Sequence, residues 1–338
     1  MKIDLLTQPN VFETLAHEWN ALLHHATTNT LFLTLEWQKT WWQSLGSGEL
    51  RVITFRQDDG ALVGVAPLFI DKETDGHLSL SLIGCVDVSD YLDVIVARGF
   101  EEQVYRALLD TLTRADFPAW DTLDLCTTPA ASPTNSLFKE IAQARGLNLE
   151  TKLHDVAPFI NLPDDWDAYL ATLEKKQRHE IRRKLRRVEE ANTRWYVIES
   201  AEALPQAIAD FVQLHKQSRP DKNMFMDTRM ETFFARMAQA LFPRGWLQLA
   251  FLEVDGARAA AILNFVYDND LLVYNSGYDP VMYGSLSPGI VLFAHSIQDA
   301  IAAKRRRYDF LRGDEEYKYR FGARDAQLFE LHIWRGAG

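Results

Sequence analysis

The chain has 338 residues, of which 47% are hydrophobic and 25% charged, and its formal net charge is −11. This composition is globular, and at about 100–200 residues per domain the length predicts two domains. The acidic balance argues against a surface that binds nucleic acid as a whole, and no run approaches the ~18 apolar residues of a membrane span.

The first residues, Met1-Lys2-Ile3-Asp4, carry no apolar run of a signal peptide, so the cytoplasm is the expected location. Phe12, Leu15, Trp19 and Leu22 recur at helical spacing, and a second helix over 36–45 carries Trp37, Trp41 and Trp42. The period then changes to strand over 50–56 and 61–70, joined by the turn Asp59-Gly60. Further strands are predicted over 77–83, 91–96 and 122–126, with helices over 104–112 and 136–144. Cys85 and Cys126 form no CxxC pair and no metal-ligand spacing; they read as buried free thiols, with no metal site expected.

The second half is predicted to start near Asp155. One long helix over 166–190 has the apolar stripe Tyr169, Leu173, Ile181, Leu185 and Val188. A helix carrying Leu204, Ile208, Phe211 and His215 comes next, its histidine read as structural. A third opens with Thr228 and Glu231 at capping-box spacing. Three strands are then predicted over 246–254, 258–267 and 271–278, the first two joined by Asp255-Gly256. Ser287-Pro288 starts a helix with serine as cap and proline at its first position. Strands over 308–311 and 327–334 complete the chain.

The halves resemble each other. Phe55, Asp59-Gly60 and Phe69 match Phe251, Asp255-Gly256 and Phe265 at a constant offset, and Leu123-Asp124-Leu125 has its counterpart in Tyr308-Asp309-Phe310. Identical element order around these matches points to internal duplication of one α/β unit.

Three stretches can carry chemistry. Residues 175–187, KKQRHEIRRKLRR, hold eight Lys or Arg against one Glu, which leaves the rest of the chain at −18 (−11 minus +7). Arg182, Arg183 and Arg186 on this helix read either as a solvated face or as an anion site for nucleotide phosphates, RNA or an anionic lipid or polymer. Tyr278 to Gly289 leave a strand and enter a helix N-terminus, where free N–H groups favour phosphate; Tyr283, Gly284, Ser287 and Gly289 are its candidate ligands. The third stretch, Tyr308-Asp-Phe-Leu-Arg312-Gly-Asp-Glu315-Glu316-Tyr-Lys318-Tyr-Arg320-Phe321-Gly322, crowds charge just past a strand's carboxyl end, where α/β folds place their sites.

The order strand, S-P-G, helix, Y-D-F-x-x-G-D-E-x-Y-K-x-R-F-G resembles the BioF2-like acetyltransferase domain. That is the GNAT branch that includes CelD-type polysaccharide-biosynthesis proteins and is related to FemAB-type aminoacyl transferases. The resemblance implies α/β architecture with two tandem GNAT-like units: 1–154, then 155–326 carrying the site, with a strand over 327–338 packing back on the first. It implies transfer of an acyl group from acyl-CoA to an amine or hydroxyl of a small-molecule, saccharide or peptide acceptor. The alternatives are an aminoacyl-tRNA donor held by the basic helix, or a non-catalytic binding protein in a polysaccharide-synthesis assembly. By the same resemblance, Lys318 sits near the donor's charged groups, with Phe321 beside it; Arg320 joins Lys318 as a source of positive charge for the oxyanion or donor phosphates, and Arg312 is a further candidate for donor binding. Glu315 or Glu316 is the expected general base and Tyr278 a proton or hydrogen-bond donor. The sequence departs from simple GNAT enzymes at the pyrophosphate motif, where Met282-Tyr283-Gly284-Ser285 stands instead.

Overall fold

A computed structural model describes residues 1–85 and 88–335. The chain divides into two compact units, one of Met1–Val156 with the chain from Ala326 on, the other of Ala157–Asp325. The strands of the first are β1 (Lys2–Leu6), β2 (Glu49–Arg56), β3 (Leu62–Lys72), β4 (Leu78–Leu82), β5 (Ile95–Val96) and β6 (Thr122–Pro129). β7 (Asn148–Asn161) passes from the first unit into the second. The second unit adds β8 (Thr193–Val197), β9 (Leu247–Val254), β10 (Ala257–Tyr267), β11 (Asp270–Tyr278) and β12 (Arg307–Asp309). The last strand, β13 (Arg324–Trp334), returns to the first unit.

The first unit orders its strands β1-β2-β3-β4-β6-β13, with only β4–β6 parallel; the second orders them β8-β9-β10-β11-β12-β7, with only β11–β12 parallel. Strand for strand the two sheets match, and the registers agree. Leu80 and Ser81 face Leu123 and Asp124 as Leu271 and Leu272 face Tyr308 and Asp309. The two Asp-Gly turns join equivalent strands, and Gly60 and Gly256 both take positive φ, 94° and 80°. Both units are mixed α/β sheets flanked by helices, as the repeated pattern predicts.

Several elements differ from expectation. The helix over 166–190 is two helices, Trp166–Thr172 and Lys175–Glu189, parted where Leu173 and Glu174 turn extended. The helical pattern over 12–22 is likewise two short helices, Val11–Thr14 and Trp19–His25. Asp227, not Thr228, caps the helix Thr228–Leu241, accepting from Met230 N–H, while Glu231 pairs with Lys216. The strand over 91–96 shrinks to β5. Cys85 and Cys126 are not free thiols: they are joined in a disulfide, with Cα atoms 6.0 Å apart, a separation that suits the bond. No helix among the described residues is long and apolar enough to cross a membrane.

The core of the second unit joins Tyr169, Ile181 and Leu185 from the helices to Ile262, Leu271 and Tyr308 from the sheet and Val291, Phe293 and Ile297 from the helix Pro288–Ala302. The helix Leu204–Ser218 lies directly on β11. A Cβ at Gly277 would come within 2.3 Å of His215 N and 2.5 Å of His215 Cα, so only glycine permits this approach. That close seat holds the next segment, Arg219 to Phe225, at the carboxyl end of β11.

Candidate active site in the second unit

β11 and β12 pair over only three residues, Asp270–Leu272 with Arg307–Asp309. Phe310 then continues along β7, donating to Pro158 O at 2.9 Å, while β11 runs on to Tyr278 beside β10. The parallel strands thus part at their carboxyl ends, the place where an open α/β sheet receives ligands.

Polar side chains gather at this opening. His215 is buried, its Nε2 2.8 Å from Asn275 Oδ1, and its Nδ1 has no partner among the described residues. Burial, with the nearby Lys222 charge, lowers the imidazole to about 4, so it is neutral at physiological pH. Lys222 donates from Nζ to Ser276 O. Its ammonium is pulled down to about 8, first by burial and then by the Arg219 guanidinium, with Asp221 and Glu315 opposing. Arg219 donates from Nε to Asp221 Oδ1 at 3.0 Å, and this hydrogen bond first, with the nearby Glu315 carboxylate, raises its guanidinium. Burial pushes the Tyr317 hydroxyl up, and its ring stacks on Phe293 at 5.0 Å.

Beside this cluster lies a pocket of about 570 Å³ whose walls share Tyr317. The basic helix Lys175–Glu189 supplies Lys176, Arg183 and Lys184 together with Glu180 and its uncharged neighbours; the helix Glu316–Arg320 supplies Glu316 and Arg320; Phe321 and Ile290 also line it. Arg183 and Lys184 are paired with Glu180, and Arg320 with Glu316 at 2.7 Å. At the base of the basic helix Arg187 donates to Ser285 O at 3.0 Å, tying it to the turn that precedes Pro288–Ala302.

The structure thus brings Arg183, Glu316, Arg320 and Phe321 to one pocket, and Glu315 and Tyr278 to the polar cluster. Arg182 pairs instead with Asp167 at 3.1 Å, and Arg186 is exposed outside the pocket lining. Tyr283 is half-buried, Gly284 open, and Gly289 places its Cα hydrogen toward the Tyr278 ring, which an added Cβ would meet at 3.6 Å. Ser287 occupies the cap position of the helix, but in left-handed conformation, φ 54°, with no side-chain cap hydrogen bond. Proline at the next position still suits the helix start.

Lys318 is the largest departure. The expectation sends its side chain into the opening between strands. Instead it is 2% exposed, and Nζ donates to Leu311 O, Arg312 O and Gly313 O at 3.1, 2.8 and 2.9 Å, with Glu315 Oε2 at 2.8 Å. With its N–H groups directed at backbone carbonyls, this ammonium fastens the 311–313 turn and points no donor at a ligand. Arg219, Lys222, Asn275 and the neutral state of His215 lie outside the sequence-based expectations; the signal available is the charged Arg219-Pro-Asp-Lys222 segment directly after a helix.

The second unit is thus an α/β unit with parted parallel strands, a cationic pocket and a helix start beside them. Residues 175–319, within the second unit, match the family model of the acetyltransferase (GNAT) domain. Among solved structures, that of FemX is 14% identical, with a TM-score of 0.70 over 98% of this chain and 97% of its own. A conserved protein of unknown function from Bacteroides thetaiotaomicron VPI-5482 is 11% identical, with a TM-score of 0.62 over 98% of this chain and 100% of its own. The structure of L-PGS from Bacillus licheniformis is 10% identical, with a TM-score of 0.57 over 95% of this chain and 92% of its own. No curated protein sequence matches the chain. These likenesses bear out the fold, and the domain match agrees with the GNAT resemblance.

Proposed function

We propose that the protein transfers an acyl group from acyl-CoA to an amine or hydroxyl of a saccharide or peptide acceptor. The observation that carries this reading is the cationic pocket of about 570 Å³ next to the parted ends of β11 and β12. Acyl transfer needs two aligned substrates, a proton acceptor and stabilisation of a developing oxyanion. The donor's phosphates lie against Lys176, Arg183 and Arg320, near the amino end of Pro288–Ala302, where the helix dipole favours anions. Its acyl end passes Tyr317 toward Tyr278. The acceptor approaches from Lys222, which takes the proton of the attacking amine or hydroxyl; an amine poised near 8 suits that task. The new bond forms to the acyl carbon, the carbon–sulfur bond breaks, and the thiolate leaves as coenzyme A. Arg219 and the Tyr278 hydroxyl face the carbonyl oxygen as it gains charge. Lys318 and Glu315 act indirectly, by holding the 311–313 turn.

A second reading, an aminoacyl-tRNA donor, is favoured by Lys175, Arg178 and Arg186, which extend the basic helix beyond the pocket without an acidic partner among the described residues. Native mass spectrometry with a panel of acyl-CoA species and with charged tRNA, combined with an assay of thiol release on saccharide and peptide acceptors, decides between the donors. Binding of acyl-CoA with acceptor-dependent thiol release supports the proposal. Binding of charged tRNA alone moves the donor to the second reading, and binding of neither leaves a non-catalytic protein.

A further inference from the structure

The turn between β11 and the helix Pro288–Ala302 ends in an apolar tip. Val281 is 89% exposed and Met282 69%. The tip is not a loose loop: Pro280 opens its single helical turn, and Asp279 Oδ1 accepts from Val281 N–H and Met282 N–H at 2.9 and 3.0 Å. Met224, 76% exposed, stands on the helix Pro220–Phe225, which Lys222 anchors at the same carboxyl end of β11. Large hydrophobic side chains are therefore held in water at the end of the unit where the opening lies, and this exposure needs an explanation.

Charge supplies it. Arg187 binds the turn through Ser285 O at 3.0 Å, so the basic helix flanks the apolar tip. Residues 175–187 of that helix carry eight Lys or Arg against one Glu, and without them the chain stands at −18. A preformed apolar tip beside a cationic helix matches a surface that is apolar within and anionic at its face.

We infer that the second unit docks on an anionic membrane surface, with Val281 and Met282 entering the headgroup layer and the exposed arginines of the Lys175–Glu189 helix meeting the lipid phosphates. A protein partner is disfavoured because one convex turn offers far less than the roughly 800 Å² per partner of a stable interface. Shallow insertion beside basic residues needs no such area. The acidic remainder of the chain would be repelled by the same membrane, which orients the unit with the basic helix toward it. This docking does not rest on the identity of the donor.

The test is co-sedimentation of the full chain with vesicles of phosphatidylcholine alone and of phosphatidylcholine with phosphatidylglycerol, at low and high salt. Binding to the anionic vesicles only, falling as salt rises, is expected. V281D/M282D should weaken it at least about tenfold, and Arg186→Gln about fivefold, with unchanged circular dichroism. In a Val281→Cys protein the native cysteines are paired, so an environment-sensitive dye attaches at the tip alone; its emission should shift to the blue on anionic vesicles. No binding, equal binding to both lipids, undiminished binding by V281D/M282D, or an unshifted dye on bound protein would each overturn the inference.

Discussion

At the residue scale, three buried or half-buried groups set the chemistry. Lys318 donates to three carbonyls from a site 2% exposed, so removing it strands those acceptors. Lys318→Ala should lower unfolding stability by about 3 kcal/mol, read from the urea midpoint, and a variant as stable as the parent would contradict the fastening role. His215 is held near 4 against an ordinary 6.5. The unfolded chain takes up a proton between those values while the folded chain does not, so stability should fall as pH drops from about 6.5 to 4, by about 2–3 kcal/mol. His215→Gln should flatten that slope. For Lys222, lowered from 10.5 to about 8, the sign is the same: stability rises with pH across that interval as the buried charge is relieved. As proton acceptor it requires kcat/KM to rise through pH 8, a limb that Lys222→Met should abolish while substrate binding persists.

At the element scale, Gly277 and the basic helix do most to place the site. Gly277→Ala forces β11 and the helix Leu204–Ser218 apart, since its Cβ meets backbone atoms at 2.3–2.5 Å. Because Arg219 and Lys222 come directly after that helix, the substitution should destabilise the fold and also depress turnover of whatever remains folded. Much of this level is legible in the sequence. The Asp-Gly turns, the S-P-G helix start and the apolar stripe of the basic helix obey local rules of turn, cap and period. The break at Leu173–Glu174 is not legible, because the stripe continues through it at helical spacing. β7 and β8 escape the pattern because they are half-exposed and carry charge, which blurs alternation. Lys318 defeats the reading for another reason. Composition cannot tell a lysine that reaches out to a ligand from one that folds back onto three carbonyls. His215 and Asn275 meet 60 residues apart, a pairing no local pattern encodes.

At the scale of the whole molecule, the equivalent strand order and the shared register at Asp124 and Asp309 show one α/β unit used twice. The units have diverged in what they hold. The first carries the Cys85–Cys126 disulfide, joining residues 41 apart in sequence. Reduction should cost about 3–4 kcal/mol of stability, and alkylation of the native protein without reductant should leave both cysteines unmodified. The second carries the residues that match the GNAT domain model, the cationic pocket and the parted strands. The most direct test of that assignment is isothermal titration of coenzyme A into the intact chain and into an Arg183→Gln, Arg320→Gln variant. The account predicts saturable binding by the parent that weakens with salt, and a loss of at least about tenfold in the variant, whose remaining salt dependence is flatter. Coenzyme A that binds both proteins equally, or neither, would contradict the pocket as the donor site.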